Sequence, residues 1–356
     1  MVKFKPIYTV CGKLMSQDYK QFEQRKQDHI DLALMQANQA LELNPFDSIQ
    51  LQHEALPDIN FEDIDISGSR FGRKVSKPFI ISSMTAGHKD AVNINRNLIA
   101  ACSENEWAMG VGSQRRELTD NHAAQEWSLI RKDFPNVQLY SNLGIAQLIS
   151  SPVDDIKRLT DALGAMGLII HCNPLQECIQ PEGTTRFKGG LDAIEHVASA
   201  LSIPIIVKET GCGFSTETLH RLNQVGVRVV DVSGLGGTHW GRIEGHRAGE
   251  DSIRSIAAET FKNWGIDTVQ SVKNAISLNP SFEVWGSGGV RNGLDAAKLF
   301  ALGASTVGFA KPMLKAALVS STAVLQQMAT FEYELKVAMF CTGSLVLNDL
   351  KEKGCR

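Results

Sequence analysis

The chain has 356 residues, 43% of them hydrophobic, with 36 basic against 39 acidic side chains and a formal net charge of −3. Charges of both signs are interspersed, which gives no electrostatic basis for nucleic-acid or membrane-surface binding. No run of about 18 apolar residues is present to span a bilayer. Seven scattered cysteines, at 11, 102, 172, 178, 212, 341 and 355, contain no CxxC pair. They read as reduced thiols of a cytoplasmic protein, forming neither a disulfide framework nor a zinc site.

Taken in chain order, residues 1–73 stand outside the repeat that follows. Ile30, Leu34, Ala37 and Leu41 predict a helix over 24–43, and 56–65 reads as a loop or an extra strand over one end of the fold. From residue 74 onward, eight apolar runs recur: 79–84, 108–113, 137–142, 167–171, 203–208, 227–232, 282–286 and 305–310. Most are continuous rather than alternating, as parallel strands covered on both faces should be. Helical stretches lie between them, at 93–105, 154–163, 191–201, 215–224, 294–302 and 312–328. This order predicts a (β/α)8 TIM barrel over 74–345, preceded by an N-terminal helical extension (1–73) and followed by a tail (346–356). Residues 233–251 form a long Gly-rich connection, and such loops usually serve function or are disordered.

Polar groups gather after nearly every run, at the barrel end where chemistry resides. The densest cluster is His171-Cys172-Asn173-Pro174-Leu175-Gln176-Glu177. Asn173 and Glu177 offer oxygen donors of the kind a hard cation such as Mg2+ prefers. Lys208 ends a buried run, where an unpaired charge is costly; it suits a Schiff-base amine, a general base or a cationic partner for an electron-rich ligand. Gly286-Ser287-Gly288-Gly289-Val290-Arg291 follows the seventh run, where barrels often bind phosphate on close-approaching glycines and helix-start amides. Arg25 and His29 share a helix face beside Lys26; they form either a diphosphate clamp or a solvated basic face. Arg115, in the polar Gly112-Ser113-Gln114-Arg115 stretch after the second run, and Arg116 could equally be plain surface charge; Cys172 and Cys212, with no visible base to activate them, read as packing.

Together these residues resemble the type 2 isopentenyl-diphosphate isomerases, FMN-dependent (β/α)8 enzymes of isoprenoid biosynthesis. The likeness runs from about residue 25 to past 340. It is carried by Arg25-Lys26-Gln27-Asp28-His29, Met84-Thr85-Ala86-Gly87, Gly112-Ser113-Gln114-Arg115, Ser141-Asn142-Leu143-Gly144, the His171–Glu177 cluster, Val207-Lys208-Glu209 with Ser215, Gly236-Gly237-Thr238, 286–291 and Ala310-Lys311. The resemblance implies FMN on Ser83, Met84, Thr85, Ser113, Asn142, Lys208, Ser233 and Thr238, with its phosphate on Gly288, Gly289, Arg291, Ala310 and Lys311. It implies a substrate diphosphate on Arg25, Lys26, His171 and Ser215, with His29 beside them, and Mg2+ on Glu177 with Asn173 nearby. Gln176 would face the isoprenoid carbons, and Gln176 and His171 would be the catalytic side chains. Isopentenyl and dimethylallyl diphosphate are the implied substrate and product, NADPH the reductant of FMN, and a homotetramer or larger homo-oligomer the assembly. Ala86 departs from the family's usual glycine.

That chemistry moves a double bond by adding one proton and removing another, with no net redox change. An alkene is a weak base, so the donor must be strong or the resulting cation well stabilised. A rival is an FMN-dependent (S)-2-hydroxy acid oxidase, which needs a His base and carboxylate-gripping arginines; His239 and His246 are its candidates. An inosine-monophosphate-dehydrogenase-like barrel would need a cysteine within 233–240, and there is none. A phosphate-ligand-binding barrel without turnover is the non-enzymatic alternative.

Overall fold

In the computed structural model, which describes residues 17–40, 44–84 and 91–355, each of the eight apolar runs yields a strand. A hairpin of β1 (Gly68–Arg70) and β2 (Arg73–Val75) precedes them. The barrel strands are β3 (Phe79–Ile81), β4 (Ala108–Gly110), β5 (Leu139–Gly144), β6 (Leu168–Cys172), β7 (Ile205–Glu209), β8 (Val229–Asp231), β9 (Glu283–Gly286) and β10 (Thr306–Phe309). All pair in parallel and close in the order β10-β3-β4-β5-β6-β7-β8-β9, with helices between consecutive strands. The (β/α)8 barrel is therefore the fold. Several runs overshoot their strands at the C-terminal side because their last residues, such as Met84 and Ser113, already belong to the loops of the mouth.

Side-chain alternation splits the core in two. Ile80, Ala108, Tyr140, Ile169, Ile206, Val229 and Trp285 point inward as one cluster, while neighbours such as Phe79, Ile81 and Ile170 join the layer beneath the helices. Both faces are apolar, which is why the strands read as continuous runs.

The hairpin was not legible in the sequence. Its two-residue turn, Phe71-Gly72, has positive φ at both positions (52° and 71°), as a type I′ turn requires. A phenylalanine tolerates that conformation poorly, yet its ring packs at 6.1 Å from Tyr140 and 5.8 Å from Trp285, plugging the barrel floor. Arg70 beside it donates to Gln138 Oε1 (2.8 Å) and Phe79 O (3.0 Å). Phe71→Asn relaxes the turn and removes the plug, and the plug outweighs the turn. Chemical denaturation should show a loss of about 1–2 kcal/mol, with cofactor affinity unchanged because the mouth is at the other end.

Four expectations are corrected. The helix runs over Gln17–Leu34 rather than 24–43. It stops because Asn38 Nδ2 donates to Leu32 O (2.9 Å) and Gln39 Nε2 to Ala33 O (3.0 Å), satisfying the terminal carbonyls; residues 41–43 lie outside the described ones. The 56–65 stretch is coil with one 3-10 turn, Phe61–Asp63, and runs along the helix Ser321–Cys341, where Phe61 meets Tyr333 and Phe340. It does not cover a barrel end. The 312–328 helix is two helices, Lys311–Ala317 and Ser321–Cys341, separated where Ser320 Oγ accepts from Ala323 N and caps the second. The 233–251 connection contains a helix, Trp240–Arg247. At the C-terminus, Leu347–Lys353 is helical with Leu350 buried. No described helix is long and apolar enough to cross a membrane, and the six described cysteines are free.

Candidate active site

Strand register builds the floor of the site. Parallel pairing sets Gly144 beside His171, His171 beside Lys208 and Lys208 beside Asp231. His171 Nδ1 lies 2.9 Å from Asn142 Oδ1. Burial, and then the nearby cations Lys208, Lys26 and Arg115, push the His171 imidazole down to about 3, so the ring is neutral at physiological pH. Lys208 Nζ donates to Glu209 O (2.6 Å) and Ser233 Oγ (2.9 Å). Ser287 Oγ donates to Asp231 Oδ1 at 2.6 Å. Cys172 is pushed up to about 12 by burial and then by Glu209, and Cys212 is raised by the same two causes; neither is an activated thiol.

Above this floor opens a cavity of about 950 Å3, at the upper end of the range for small-molecule sites and roomy enough for a cofactor and a substrate together. Of the residues expected to hold a flavin, Ser83, Met84, Ser113, Asn142, Lys208, Ser233, Thr238, Gly288, Gly289, Arg291, Ala310 and Lys311 all line it. Thr85 and Ala86 lie outside the described residues. Of the expected substrate and metal set, Arg25, Lys26, His29, His171, Asn173, Gln176 and Glu177 line it.

The lining fits a phosphorylated cofactor. Ser83 Oγ is buried without a hydrogen-bond partner, and such groups usually have one. Gly288 and Gly289 have φ of 98° and 75°, and a Cβ on Gly237 would come within 2.7 Å of Gly289 N. The two glycine loops therefore pack backbone against backbone, as only glycine permits.

Three placements differ from expectation. Ser215 is exposed and absent from the lining; its Oγ accepts from Thr218 N (3.2 Å), capping the helix Thr216–Leu222. Arg291 spends its fork on carboxylates, with Nε on Asp295 (2.8 Å) and Nη2 on Asp47 of the N-terminal extension (2.7 Å). His29 turns its Nε2 to Glu244 Oε1 at 2.8 Å and its edge to the Trp240 ring.

The helix Gln17–Leu34 lies across the mouth and brings its cations in. Burial, then Arg115, lowers Arg25 to about 10; burial, then Arg25 and Arg115, lowers Lys26 to about 7. Arg115, for which plain surface charge was the other reading, lines the cavity. Their mutual repulsion and partial desolvation leave these cations suited to an anion. Glu177 Oε1 accepts from Asn173 Nδ2 (2.9 Å) and Oε2 from Thr184 N. Those two bonds leave lone pairs on the carboxylate, so Glu177 fits a cation completed by substrate oxygens and water.

The residue that sequence reading missed is Glu244. It is fully buried and accepts from His29 Nε2, Gln176 Nε2 (2.9 Å) and Arg247 Nη1. Burial alone would raise its carboxyl, but the His29 and Gln176 hydrogen bonds and the Arg247 charge win and hold it at about 2. His29, by contrast, is lowered by burial to about 4, so the pair is a neutral imidazole donating to a carboxylate. Neither oxidase candidate faces a ligand in that role. His239 is buried, with Nδ1 accepting from Arg242 N as a helix cap, and His246 is exposed.

Known proteins resemble this chain in sequence and in fold. Residues 176–356 match the FMN-dependent dehydrogenase family. An isopentenyl-diphosphate delta-isomerase from Legionella pneumophila (strain Lens) is 70% identical over 341 residues, which are 96% of this chain and 100% of that protein. Another, from Bdellovibrio bacteriovorus, is 54% identical, with 95% and 99% covered. Among solved structures, a flavocytochrome b2 variant with benzoylformate superposes with a TM-score of 0.68 at 16% identity, covering 95% of this chain and 85% of that one, a likeness of fold. With a barrel whose mouth joins a glycine-lined cradle to a cationic clamp, and with these full-length relatives, the chain belongs to the FMN-dependent, type 2 family of isopentenyl-diphosphate delta-isomerases.

Proposed function

We propose that the protein interconverts isopentenyl diphosphate and dimethylallyl diphosphate by a redox-neutral allylic proton shift, with FMN, Mg2+ and NADPH as the source of reducing equivalents. The observation that carries this reading is one cavity holding both a flavin-type cradle and, beside the cations Arg25, Lys26 and Arg115, an amide fixed by a buried carboxylate. Bound and reduced, FMN would supply an electron-rich ring and an exchangeable proton.

The chain's own residues do the rest. Arg25, Lys26 and Arg115 hold the diphosphate by charge-assisted hydrogen bonds. His171 lies beside them as a neutral imidazole held against Asn142. Glu177, with Asn173, would hold Mg2+. Gln176 is pinned at both ends, Nε2 donating to Glu244 and Oε1 accepting from Asn173 Nδ2 (3.1 Å), so its amide orients the carbon skeleton with little reorganisation. The glycine turn 288–289 with Ala310 and Lys311 takes the cofactor phosphate, and Lys208 supplies the cation for a flavin that carries negative charge. Arg291 commits its backbone N–H and its Nε to Asp295 and ties the turn to Asp47 through Nη2. The protein works in the cytoplasm as a homotetramer or larger. Exposed Ile253, Ile256, Phe261 and Trp264 support self-association.

The test is anaerobic incubation of the purified protein with isopentenyl diphosphate, FMN and Mg2+, with and without NADPH. Dimethylallyl diphosphate should form only with reductant and without matching NADPH consumption. Stoichiometric NADPH oxidation, or no product in either arm, would overturn the reading.

A further inference from the structure

Three carboxylates from three segments converge on one guanidinium. Arg247, whose side chain is 10% exposed, reaches Glu244 on its own helix with Nη1. Its Nη2 reaches Glu182 Oε1 at 3.0 Å, and its Nε lies 3.5 Å from Asp28 of the helix Gln17–Leu34. Glu182 is shared, because Arg25 Nη1 lies 3.4 Å from the same oxygen. Glu182 sits in the loop that follows the helix Pro174–Ile179, and that loop is tied down. Thr184 N donates to Glu177 Oε2, and a Cβ on Gly183 would collide with the backbone of Glu177. The carboxylate therefore stays within reach of both arginines.

This geometry creates a conflict that Arg247 resolves. An arriving diphosphate must win Arg25 from Glu182, and a carboxylate left unpaired beside a phosphate would oppose binding. Arg247 holds the shorter bond to Glu182 and can keep its charge matched after Arg25 turns to the ligand. The same guanidinium occupies Glu244 Oε2, leaving Oε1 for His29 and Gln176. A planar fork with five donors can serve several carboxylates in this way; an ammonium cannot.

We propose that Arg247 is a positioning residue of this site, keeping Glu182 from competing with the diphosphate for Arg25 and fixing Glu244 beneath the amide of Gln176. The first half needs only an anion-binding mouth; the second rests on the isomerase reading.

The two halves separate in a double-mutant cycle on the FMN-loaded protein, with pyrophosphate affinity measured by calorimetry and kcat measured on isopentenyl diphosphate. Arg247→Met should weaken pyrophosphate binding by about tenfold and lower kcat. Glu182→Gln should bind pyrophosphate as tightly as the parent or more tightly. The double variant should recover affinity to within about threefold of the parent while kcat stays low, since Glu244 is still unheld. A merely structural pair would weaken binding in both single variants and add in the double, and that pattern would overturn the first half. Recovery of kcat in the double would overturn the second. Should Arg247→Met fail to fold, Glu182→Gln decides alone, with weaker binding counting against the idea. A parent protein that binds pyrophosphate yet forms no dimethylallyl diphosphate would sink the isomerase reading and leave the order of affinities to judge Arg247.

Discussion

Glu244→Ala should lower kcat by about 10²- to 10³-fold while leaving FMN affinity within a small factor. The carboxylate is fully buried and touches no expected cofactor-binding residue; its partners are His29, Gln176 and Arg247. Removing it frees the Gln176 amide to rotate and leaves a guanidinium and an imidazole N–H with an acceptor missing. Breaking a buried pair in that way costs about 3 kcal/mol or more of stability, which denaturant unfolding will register. Glu244→Gln separates the effects. It preserves an acceptor oxygen and the packing but removes the charge, so it should recover stability more fully than kcat. Gln176→Ala should match Glu244→Ala in kcat with a much smaller stability loss. Equal losses of kcat and FMN affinity in either variant would show that the pair supports the cradle rather than the substrate.

The second large effect concerns Lys26. Its amine sits at about 7, lowered by burial and then by Arg25 and Arg115, whereas an ordinary lysine stays charged to about pH 10. A diphosphate prefers the protonated form, so binding raises the Lys26 pKa and takes up a proton. The sign is fixed: kcat/KM should fall as pH rises through about 7, while kcat at saturating substrate stays flatter because bound diphosphate keeps the amine charged. Calorimetry in buffers of different ionisation enthalpy should detect the proton uptake, largest just above neutrality. Lys26→Ala should raise KM by about 10- to 100-fold and remove this limb of the pH profile. Lys26→Arg should remove the limb while keeping much of the affinity, since a guanidinium stays protonated. A limb that persists in both variants would assign the titration to another group.

Much of this architecture was written locally. Eight apolar runs announce eight buried parallel strands, and the polar residues after each run announce the mouth. The His171–Glu177 cluster could be read because a strand and a short helix bring it together within seven residues. Glu244 escaped notice for the opposite reason. Its helix lies inside a stretch rich in glycine and charge, has no clear apolar stripe, and meets Gln176 only through the packing of distant segments. The only available hint was spacing, since Trp240, Glu244 and Arg247 recur at helical intervals. Arg291 shows a related limit. Its glycine turn is visible in sequence, but its partner Asp47 lies 244 positions away, so the side chain's commitment is a tertiary fact. The Phe71 plug ran against local preference, because phenylalanine is a poor residue for a left-handed turn and only the barrel floor rewards it.

That plug also governs traffic. With Phe71, Tyr140 and Trp285 packed across the floor, the barrel is a closed-ended vessel, and the described residues place its large cavity at the opposite end, beneath the helix Gln17–Leu34. Cofactor, substrate and any external electron donor must then use the same doorway and queue for it. A protein saturated with diphosphate substrate should have its flavin reduced more slowly than an empty one, so the substrate itself sets how often the cofactor can be recharged.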